Sequence, residues 1–294
     1  KYMICSNFTK KHMSKIYIFG ATGYLGSHFV DYFKEKGWEV LTERVDIRDL
    51  SAVRAALEKT KPDVVLNSAG KTGVPNVDWC ESNKGETALI NINGAINLAS
   101  ACAEMGIYFA HVGSGCVYEG DGGREHGFLE TDEPNFYGSF YSRTKAASEK
   151  MSDEIGALQL RVRIPVEGKS YDKNVINKLL KYERVASIEN SFTIVEDFIP
   201  ASYQLIERRE QGIFNMTNVG SMDHKFLMEK YREIVDPSRT FEYMDEAGLA
   251  AVTCAARSNC TLDTDKRENL GISMPDLKER IPEILEAYKK SLEV

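Results

Sequence analysis

The chain lacks the features that define several large protein classes. It has no run of about 18 apolar residues, which a membrane-spanning helix requires. No CxxC pair occurs among its six cysteines and no HExxH among its five histidines, so neither a disulfide framework nor a common metal motif is indicated. No basic stretch could track nucleic acid, and the net charge of −7 disfavours that partner too. We therefore expect no metal, no membrane and no nucleic-acid partner.

The scattered cysteines also bear on the compartment. In a chain of 294 residues we interpret them as reduced thiols of a cytoplasmic protein. They are Cys5, Cys80, Cys102, Cys116, Cys254 and Cys260. Residues 1–14 contain lysines but no apolar stretch long enough for a secretory signal, and we interpret them as a tail before the first strand.

Strand-like and helix-like segments alternate through the first half of the chain. Strands are predicted at 15–20, 38–42, 62–70, 107–114 and 158–165, and helices at 24–37, 49–60, 89–106 and 141–155. This alternation predicts an α/β fold, a Rossmann-like doubly wound parallel sheet, over residues 15–165.

After Pro165 the predicted elements become shorter. A strand is predicted at 212–218, with helices at 223–235 and 275–292. We interpret residues 166–294 as a smaller substrate-binding lobe, partly interleaved with the first domain.

The segment "GATGYLG" (20–26) lies between the first strand and the first helix. Gly20 permits a tight turn, Gly23 lets a pyrophosphate approach the backbone, and Gly26 allows close helix packing. A helix N-terminus at this point favours phosphate. The sequence therefore predicts a dinucleotide site. Its expected contacts are Gly20, Thr22, Gly23, Tyr24, Leu25 and Gly26, joined by Asn67, Ala69 and Gly70 after the third strand.

The choice of nicotinamide cofactor depends on the end of the second strand. An acidic residue there binds a ribose 2′-hydroxyl, whereas an arginine accommodates a 2′-phosphate. The chain offers both Glu43 and Arg44. We favour NADPH through Arg44 and keep NADH as the alternative.

"YSRTK" (141–145) places Tyr141 and Lys145 four residues apart, on one face of a predicted helix. A lysine ammonium lowers the pKa of a nearby phenol, which could then exchange a proton with a carbonyl oxygen. Ser114 ends the preceding strand. This order of features resembles the extended short-chain dehydrogenase/reductase family.

Within that family the chain resembles the UDP-4-keto-6-deoxyglucose 3,5-epimerase/4-reductases of UDP-rhamnose synthesis, which are similar to the dTDP-4-dehydrorhamnose reductases. The segments that carry the resemblance are "NSAGKTGVPNVDWCESNK" (67–84), "GSGCVYE" (113–119), "PNFYGSFYSRTKA" (134–146), "LRVRIP" (160–165) and "ARSNC" (256–260). It extends from about Lys15 to the C-terminal helix.

The resemblance implies roles for particular residues. Ser114, Tyr141 and Lys145 would form the reductase triad, with the hydroxyl of Ser114 replacing a threonine found in relatives. Cys116 would remove a proton beside the C4 ketone, and Lys178 would supply one from the other face, with Lys181 as the alternative. Asn76, Trp79 and Arg257 would contact the nucleotide sugar. A packing role for Trp79 and a surface salt bridge for Arg257 stay open.

Other partners follow from the same resemblance. A separate 4,6-dehydratase would supply the substrate, since the chain has one glycine fingerprint and one YxxxK. A homodimer through helices near 89–104 and 141–155 is an expectation from fold analogy. The preference for UDP or dTDP stays open. Two alternatives also stay open: a reductase without epimerase activity, and a non-catalytic NADP-binding regulatory subunit.

Overall fold

The computed structural model describes residues 14–293. Its strands are β1 Lys15–Phe19, β2 Glu39–Leu41, β3 Val64–Asn67, β4 Tyr108–Ser114, β5 Leu158–Val162, β6 Pro165–Val166, β7 Arg184–Ala186, β8 Thr193–Ile194, β9 Gly212–Asn215 and β10 Glu242–Met244. The predicted tail at residues 1–14 lies almost wholly outside the described residues.

Helices alternate with these strands. They are α1 Tyr24–Glu35, α2 Leu50–Thr60, α3 Asp78–Ser82, α4 Lys84–Ala88, α5 Ala95–Met105, α6 Phe140–Glu154, α7 Val175–Leu179, α8 Val195–Glu207, α9 His224–Ile234, α10 Glu246–Val252, α11 Asp265–Glu268 and α12 Leu277–Ser291. A π-helical segment, Leu89–Gly94, joins α4 to α5.

The central sheet has six parallel strands in the order β2-β1-β3-β4-β5-β9. Side chains along β1 alternate between its faces, as a strand requires. Ile16 and Ile18 pack with Phe29 of α1, whereas Tyr17 packs with Leu57 of α2 on the opposite face. Apolar cores on both faces confirm the predicted doubly wound α/β fold.

Strand order reverses between β1 and β3, because the chain moves from β1 to β2 in one direction and from β3 to β5 in the other. Doubly wound sheets bind ligands at the carboxyl ends of the strands beside this switch point. The loops after β1, β3 and β4 all open at that edge.

The second half of the chain does not form a contiguous lobe. β9 pairs with β5, and Phe198 of α8 packs against Phe29 of α1 in the sheet core. α7, α9 and α12 instead enclose a second apolar core beside the paired strands β6 and β8. The partial interleaving of the two domains and their boundary at residue 165 both stay predictions.

Helix α8 was not predicted from the sequence. It has no side-chain cap at its N-terminus and carries Pro200 in its interior, so the usual start and stop signals are missing. Its buried face, including Phe198 and Leu205, packs on the sheet. Tertiary burial therefore outweighs the local signal at this helix.

Membrane spans and metal sites were examined for residues 14–293 because composition disfavours both. None of the helices within residues 14–293 is long and apolar enough to cross a membrane. No cluster of metal-ligating side chains was found within the same residues.

Candidate active site

The glycine loop after β1 is closely packed against the loop after β3. Gly20 has a φ of +78°, and a Cβ added there would lie 2.5 Å from the Ala69 backbone nitrogen. At Gly26 an added Cβ would lie 2.1 Å from the Gly20 carbonyl oxygen. Helix α1 begins at Tyr24 without a side-chain cap. The loop therefore leaves the first N–H groups of α1 without a side-chain cap beside the switch point, which suits a dinucleotide phosphate.

The other residues of this loop differ in what they can offer. Thr22 is exposed. Leu25 packs against the sheet core, so only its backbone is available to a ligand. The Tyr24 ring stacks on Tyr171 with ring centroids 5.4 Å apart and lies edge-on to His28. His28 in turn contacts the buried Glu167 at 3.0 Å.

Asn67 does not present its side chain to a ligand. Its Oδ1 accepts the backbone N–H of Ala69 at 2.9 Å, and its Nδ2 lies 3.0 Å from His111 Nδ1. The side chain is fully buried. The expected cofactor contact of Asn67 is therefore restricted to its backbone, whereas Gly70 is exposed beside it.

The two charged residues after β2, Glu43 and Arg44, differ in their ion-pair partners. Glu43 lies 3.4 Å from the ammonium of Lys59. Arg44 is exposed, and within residues 14–293 no carboxylate lies within ion-pair distance of its guanidinium. Arg44 is thus the better placed of the two to receive an anion.

Ser114 and Tyr141 meet at the carboxyl end of β4. Ser114 is buried, and its Oγ accepts the backbone N–H of Cys116 at 3.2 Å. Burial raises the pKa of the Tyr141 phenol above its usual range, and the nearby Cys116 raises it further; a hydrogen bond with Ser114 acts in the opposite direction. Tyr141 is therefore a protonated phenol within reach of both side chains.

Lys145 is not the acidifying neighbour that the sequence suggested. Its Nζ lies 3.0 Å from His111 Nε2 and donates to the Val112 carbonyl oxygen at 3.0 Å. Burial lowers the pKa of Lys145 itself to about 8. The pKa of the Tyr141 phenol is raised, so the lowering expected from Lys145 is not observed. The Lys145 amine instead bonds to β4 through the Val112 carbonyl oxygen.

Helix α6, which carries Tyr141 and Lys145, is fixed at two places. Ser139 caps its N-terminus by accepting the backbone N–H of Ser142. Further along, Glu149 makes two hydrogen bonds of 2.8 Å with Arg161 of β5, and both side chains are buried. Bidentate pairs of this kind fix orientation as well as distance.

Cys116 lies beside Tyr141 and is half-buried. The Nη1 atom of Arg163 donates to its Sγ at 3.1 Å. Arg163 is 1% exposed, and its other partners are the neutral oxygens of Asn190 and Ser258. A buried guanidinium normally has an anionic partner. Within the described chain no carboxylate pairs with Arg163, and Cys116 is the ionisable group among these three contacts.

The backbone next to Arg163 is strained. Ile164 has a φ of +37°, in the left-handed region that β-branched residues rarely adopt. Strain of this kind concentrates at functional sites, where surrounding packing over-determines the conformation. Here it lies at the turn from β5 to β6, immediately after the residue that contacts the thiol.

The two candidate lysines of α7 and its C-terminal extension differ clearly. Lys181 is exposed and forms an ion pair with Asp172 at 3.2 Å. Lys178 has exposed surface, yet enough protein surrounds its ammonium for desolvation to lower its pKa, assisted by the charges of Lys173 and Lys181. A lysine with a lowered pKa is the better proton donor.

The residues expected to contact the sugar have local partners. Asn76 Oδ1 accepts the backbone N–H of Asp78 at 2.9 Å, and the Lys71 ammonium lies 4.5 Å from the Trp79 ring centroid. Arg257 makes a bidentate pair with Asp78, with distances of 2.7 and 2.9 Å. The salt bridge that was an alternative for Arg257 is therefore present, and its contact with a diphosphate stays a prediction.

Several residues of the site were missed by sequence reasoning. Arg163 entered the resemblance only as part of "LRVRIP" and was assigned no role. A charged residue at the end of an apolar strand was nevertheless a usable signal. His111 was likewise a polar residue inside a buried strand. The carboxamide of Asn91 bonds both backbone groups of Lys71 and the hydroxyl of Thr144, linking the loop after β3 to α6.

Comparison with known proteins adds independent observations. The protein-family model described as the RmlD substrate binding domain matches residues 13–290. A bifunctional dTDP-4-dehydrorhamnose 3,5-epimerase/dTDP-4-dehydrorhamnose reductase of Arabidopsis thaliana is 36% identical over 283 residues, covering 94% of each chain.

Two further similarities differ in coverage. A trifunctional UDP-glucose 4,6-dehydratase/UDP-4-keto-6-deoxy-D-glucose 3,5-epimerase/UDP-4-keto-L-rhamnose-reductase of Arabidopsis thaliana is 36% identical, but the match spans 98% of this chain and 42% of that protein. The crystal structure of the L780 UDP-rhamnose synthase from Acanthamoeba polyphaga mimivirus superposes with a TM-score of 0.90 at 32% identity, covering 94% of this chain and 99% of that one.

Proposed function

The chain belongs to the family described as the RmlD substrate binding domain, and from this premise we propose that it is a bifunctional nucleotide-sugar epimerase/reductase. Its proposed reaction converts UDP-4-keto-6-deoxyglucose to UDP-rhamnose by epimerisation at C3 and C5 and NADPH-dependent reduction at C4. The relatives named as epimerase/reductases support this class of activity. The observation that carries the proposal is the grouping at the carboxyl end of β4 of Cys116, whose backbone N–H donates to Ser114 Oγ at 3.2 Å, with Tyr141, whose pKa both residues shift.

Epimerisation needs a base beside the ketone and a proton donor on the opposite face. The C4 carbonyl acidifies the C–H bonds at C3 and C5. In the proposed step the Cys116 thiolate takes the proton, the electron pair moves onto the carbonyl oxygen, and Ser114 and Tyr141 stabilise that oxygen by hydrogen bonds. Lys178 then returns a proton to carbon, which inverts the centre. The Nη1 atom of Arg163 contacts the sulfur of the proposed base Cys116 at 3.1 Å.

Reduction uses the same carbonyl oxygen. Tyr141 donates its phenolic proton to that oxygen, and its raised pKa keeps this proton in place until the transfer. Ser114 orients the carbonyl from the end of β4. When bound, the nicotinamide cofactor would supply the hydride that adds to C4.

The residues present fit such a cofactor. Side chains at Gly20 and Gly26 would collide with neighbouring backbone, so glycine is needed there for the tight turn and the close helix packing of a dinucleotide loop. Arg44 would bind a 2′-phosphate, which is why we favour NADPH over NADH. Lys145 would contact the nicotinamide ribose.

Two substitutions separate the proposed half-reactions. Cys116→Ala should abolish deuterium uptake at C3 and C5 from D₂O. Tyr141→Phe should slow reduction by about 10² to 10⁴ and keep part of the uptake, because Ser114 still donates a hydrogen bond to the carbonyl oxygen. Both UDP- and dTDP-linked 4-keto-6-deoxyglucose are tested with both nicotinamide cofactors. Cys254→Ala, which removes an exposed thiol, is the matched control.

The outcomes distinguish the alternatives. Normal deuterium uptake by Cys116→Ala would exclude the thiol as base and leave a reductase without epimerase activity. Binding of NADPH without turnover of either sugar nucleotide would favour a regulatory subunit. Whether the 4,6-dehydratase is a separate protein stays a prediction, because trifunctional relatives carry that activity in their own names.

A further inference from the structure

A buried carboxylate follows β6, close to the start of α1. Glu167 is 3% exposed, and its Oε2 lies 3.0 Å from Nε2 of His28. Within residues 14–293 no other cationic side chain lies within ion-pair distance of Glu167. A buried charge is costly unless an opposite charge compensates it. His28 therefore supplies the positive charge that Glu167 requires.

His28 is held in its charged form by these surroundings. The hydrogen bond with Glu167 raises the pKa of His28 above its ordinary value, and the negative charges nearby add to this effect, whereas burial acts against it. The Tyr24 phenol is also close to Glu167. Burial raises the pKa of that phenol, and the charge of Glu167 raises it further, so Tyr24 stays neutral and does not replace the imidazolium.

The chain after Glu167 leads directly to the start of α7. Asn174 caps this helix, since its Oδ1 accepts the backbone N–H of Ile176 at 3.2 Å. The Nδ2 atom of Asn174 donates to the carbonyl oxygen of Glu167 at 2.7 Å. The backbone N–H of Lys178 in turn donates to the carbonyl oxygen of Asn174 at 3.2 Å. Residues 167–174 thus form a loop that is closed at Glu167, and the orientation of Lys178 depends on where Glu167 is held.

Helix α1 is the fixed side of this contact. Phe29 of α1 lies in the sheet core, on the same helix as His28. Tyr24, the first residue of α1, stacks on Tyr171 of the loop 167–174 with ring centroids 5.4 Å apart and lies edge-on to His28 at 5.9 Å. One ion pair and one aromatic stack therefore join the loop before α7 to a helix that the sheet holds in place.

We propose that His28 is a positioning residue for Lys178, because its ion pair with Glu167 holds the loop 167–174 and the start of α7 on helix α1. This rests on the proposed function, in which Lys178 returns a proton to carbon during inversion. The reductase triad lies on β4 and α6, which the ion pair does not contact. Reduction should therefore be independent of His28.

The other ionisable groups around the pair determine how it responds to pH. Asp31 of α1 and Glu196 of α8 both favour the imidazolium. Glu196 also accepts the backbone N–H of Gly168 at 2.7 Å, so it is a second carboxylate beside Glu167. Because the folded-state pKa of His28 is raised, the contribution of the ion pair is present at low pH and is lost as pH rises through that pKa. The loop should then be held less firmly, since carboxylates remain without a cation.

Amide hydrogen exchange measures how firmly α7 is held, without any turnover. His28→Met removes the cation and keeps the carboxylate, and the amides of α7 should exchange about tenfold faster or more, the effect expected when a buried charged group loses its partner. His28→Met combined with Glu167→Gln removes both charges and should restore slow exchange. Lys34→Met, which removes an exposed cation from the same helix, is the control and should leave α7 unchanged. Equally fast exchange in the single and the double variant would overturn the proposal, because lost packing of the ring would then explain the change.

The two half-reactions show whether the ion pair acts through Lys178. In His28→Met the turnover number for C5 inversion should fall about tenfold, the factor expected for the exchange, and it should recover in the double variant. Reduction of sugar that is already epimerised, and the KM for NADPH, should stay near the wild-type values. Equal losses in inversion and reduction would overturn the assignment of His28 to Lys178.

The two proposals fail separately. Unchanged α7 exchange in His28→Met, with normal inversion by the wild type, would overturn this inference and leave the proposed function standing. Restored α7 protection in the double variant, with normal inversion by Lys178→Gln, would do the reverse. If His28→Met does not fold, the wild type decides. Its α7 protection relative to α6 should fall between about pH 6 and about pH 9, around and above the ordinary histidine pKa, and a constant ratio would overturn the inference.

Discussion

The two halves of the candidate site are held by different parts of the chain. The triad half, Ser114, Tyr141 and Lys145, lies on one strand and one helix, and a buried network and ion pair fix both elements. The thiol half, Cys116, Arg163 and Lys178, comes from three separate elements: the turn after β4, the end of β5, and α7. Arg163 contacts Cys116, whereas Lys178 belongs to an element packed into the second core.

This difference suggests how the two proposed chemistries depend on the fold. Proton donation from a phenol requires one fixed geometry, which the sheet and α6 provide. Inversion requires two groups on opposite faces of the sugar, so one of them has to come from outside the sheet. We therefore expect substitutions in the second apolar core to slow inversion, the reaction of the thiol half. The same substitutions should affect reduction, the reaction of the triad half, only little.

The largest effect is expected at the lysine of α7. Lys178→Gln removes the proposed proton donor and should slow inversion by about 10² to 10⁴. Lys181→Gln should leave inversion near the wild-type rate, because the ammonium of Lys181 is paired with Asp172. The measurement is the rate of C5 inversion followed by proton NMR. Equal losses in both variants would contradict the assignment of Lys178 and remove the distinction between the lysines.

The guanidinium beside the thiol should come next. Arg163→Met should reduce deuterium uptake at C3 and C5 by about a hundredfold, the size seen when a partner that orients a reactive group is lost. Reduction of sugar that is already epimerised tests the triad half separately and should fall much less. Arg163→Lys should restore part of the exchange, because it returns the charge. A urea unfolding curve for each variant shows whether lost packing accounts for the change.

A smaller effect is expected from pH on the triad half. The folded-state pKa of Lys145 is about 8, below the value of about 10.4 expected in the unfolded chain. Between these values the unfolded chain binds more protons, so the stability contribution of Lys145 rises with pH and is lost as pH falls through 8. Relative to Lys145→Met, wild type should gain about 2 kcal/mol between about pH 7 and about pH 9.5 in urea unfolding. A constant difference would mean that Lys145 stays charged when folded.

The triad half was also the more predictable from sequence. The alternation of elements, the glycine loop and the Tyr141–Lys145 spacing all have local signatures, and the fold that follows from them is confirmed. The partners of Lys145 were not predictable, because His111 and Asn67 come from neighbouring strands whose register brings them together. A sequence shows that a polar residue is buried in a strand without showing what it bonds.

The thiol half had weaker local signals. Cys116 and Lys178 were found only through resemblance, and Arg163 had no assigned role. Arg163 stands out because it is buried and no carboxylate within residues 14–293 pairs with it. Its partners Asn190 and Ser258 come from loops that are distant in sequence. Similarly, the pairing of Arg257 with Asp78 joins segments 179 positions apart, and neither segment predicts the other.

The smallest expected effect concerns the cofactor loop that both halves share. Arg44→Ala should weaken NADPH about tenfold and leave NADH unchanged, because a charge-assisted contact to the 2′-phosphate is worth about 1.5 kcal/mol or more. Arg54→Ala, which removes an exposed arginine paired with Glu104, is the control. The measurement is the apparent KM for each cofactor with the epimerised sugar. Equal weakening of both cofactors would show that Arg44 supports the loop and does not read the phosphate. Deuterium uptake by Arg44→Ala should stay unchanged, because in the proposed mechanism inversion does not use the cofactor.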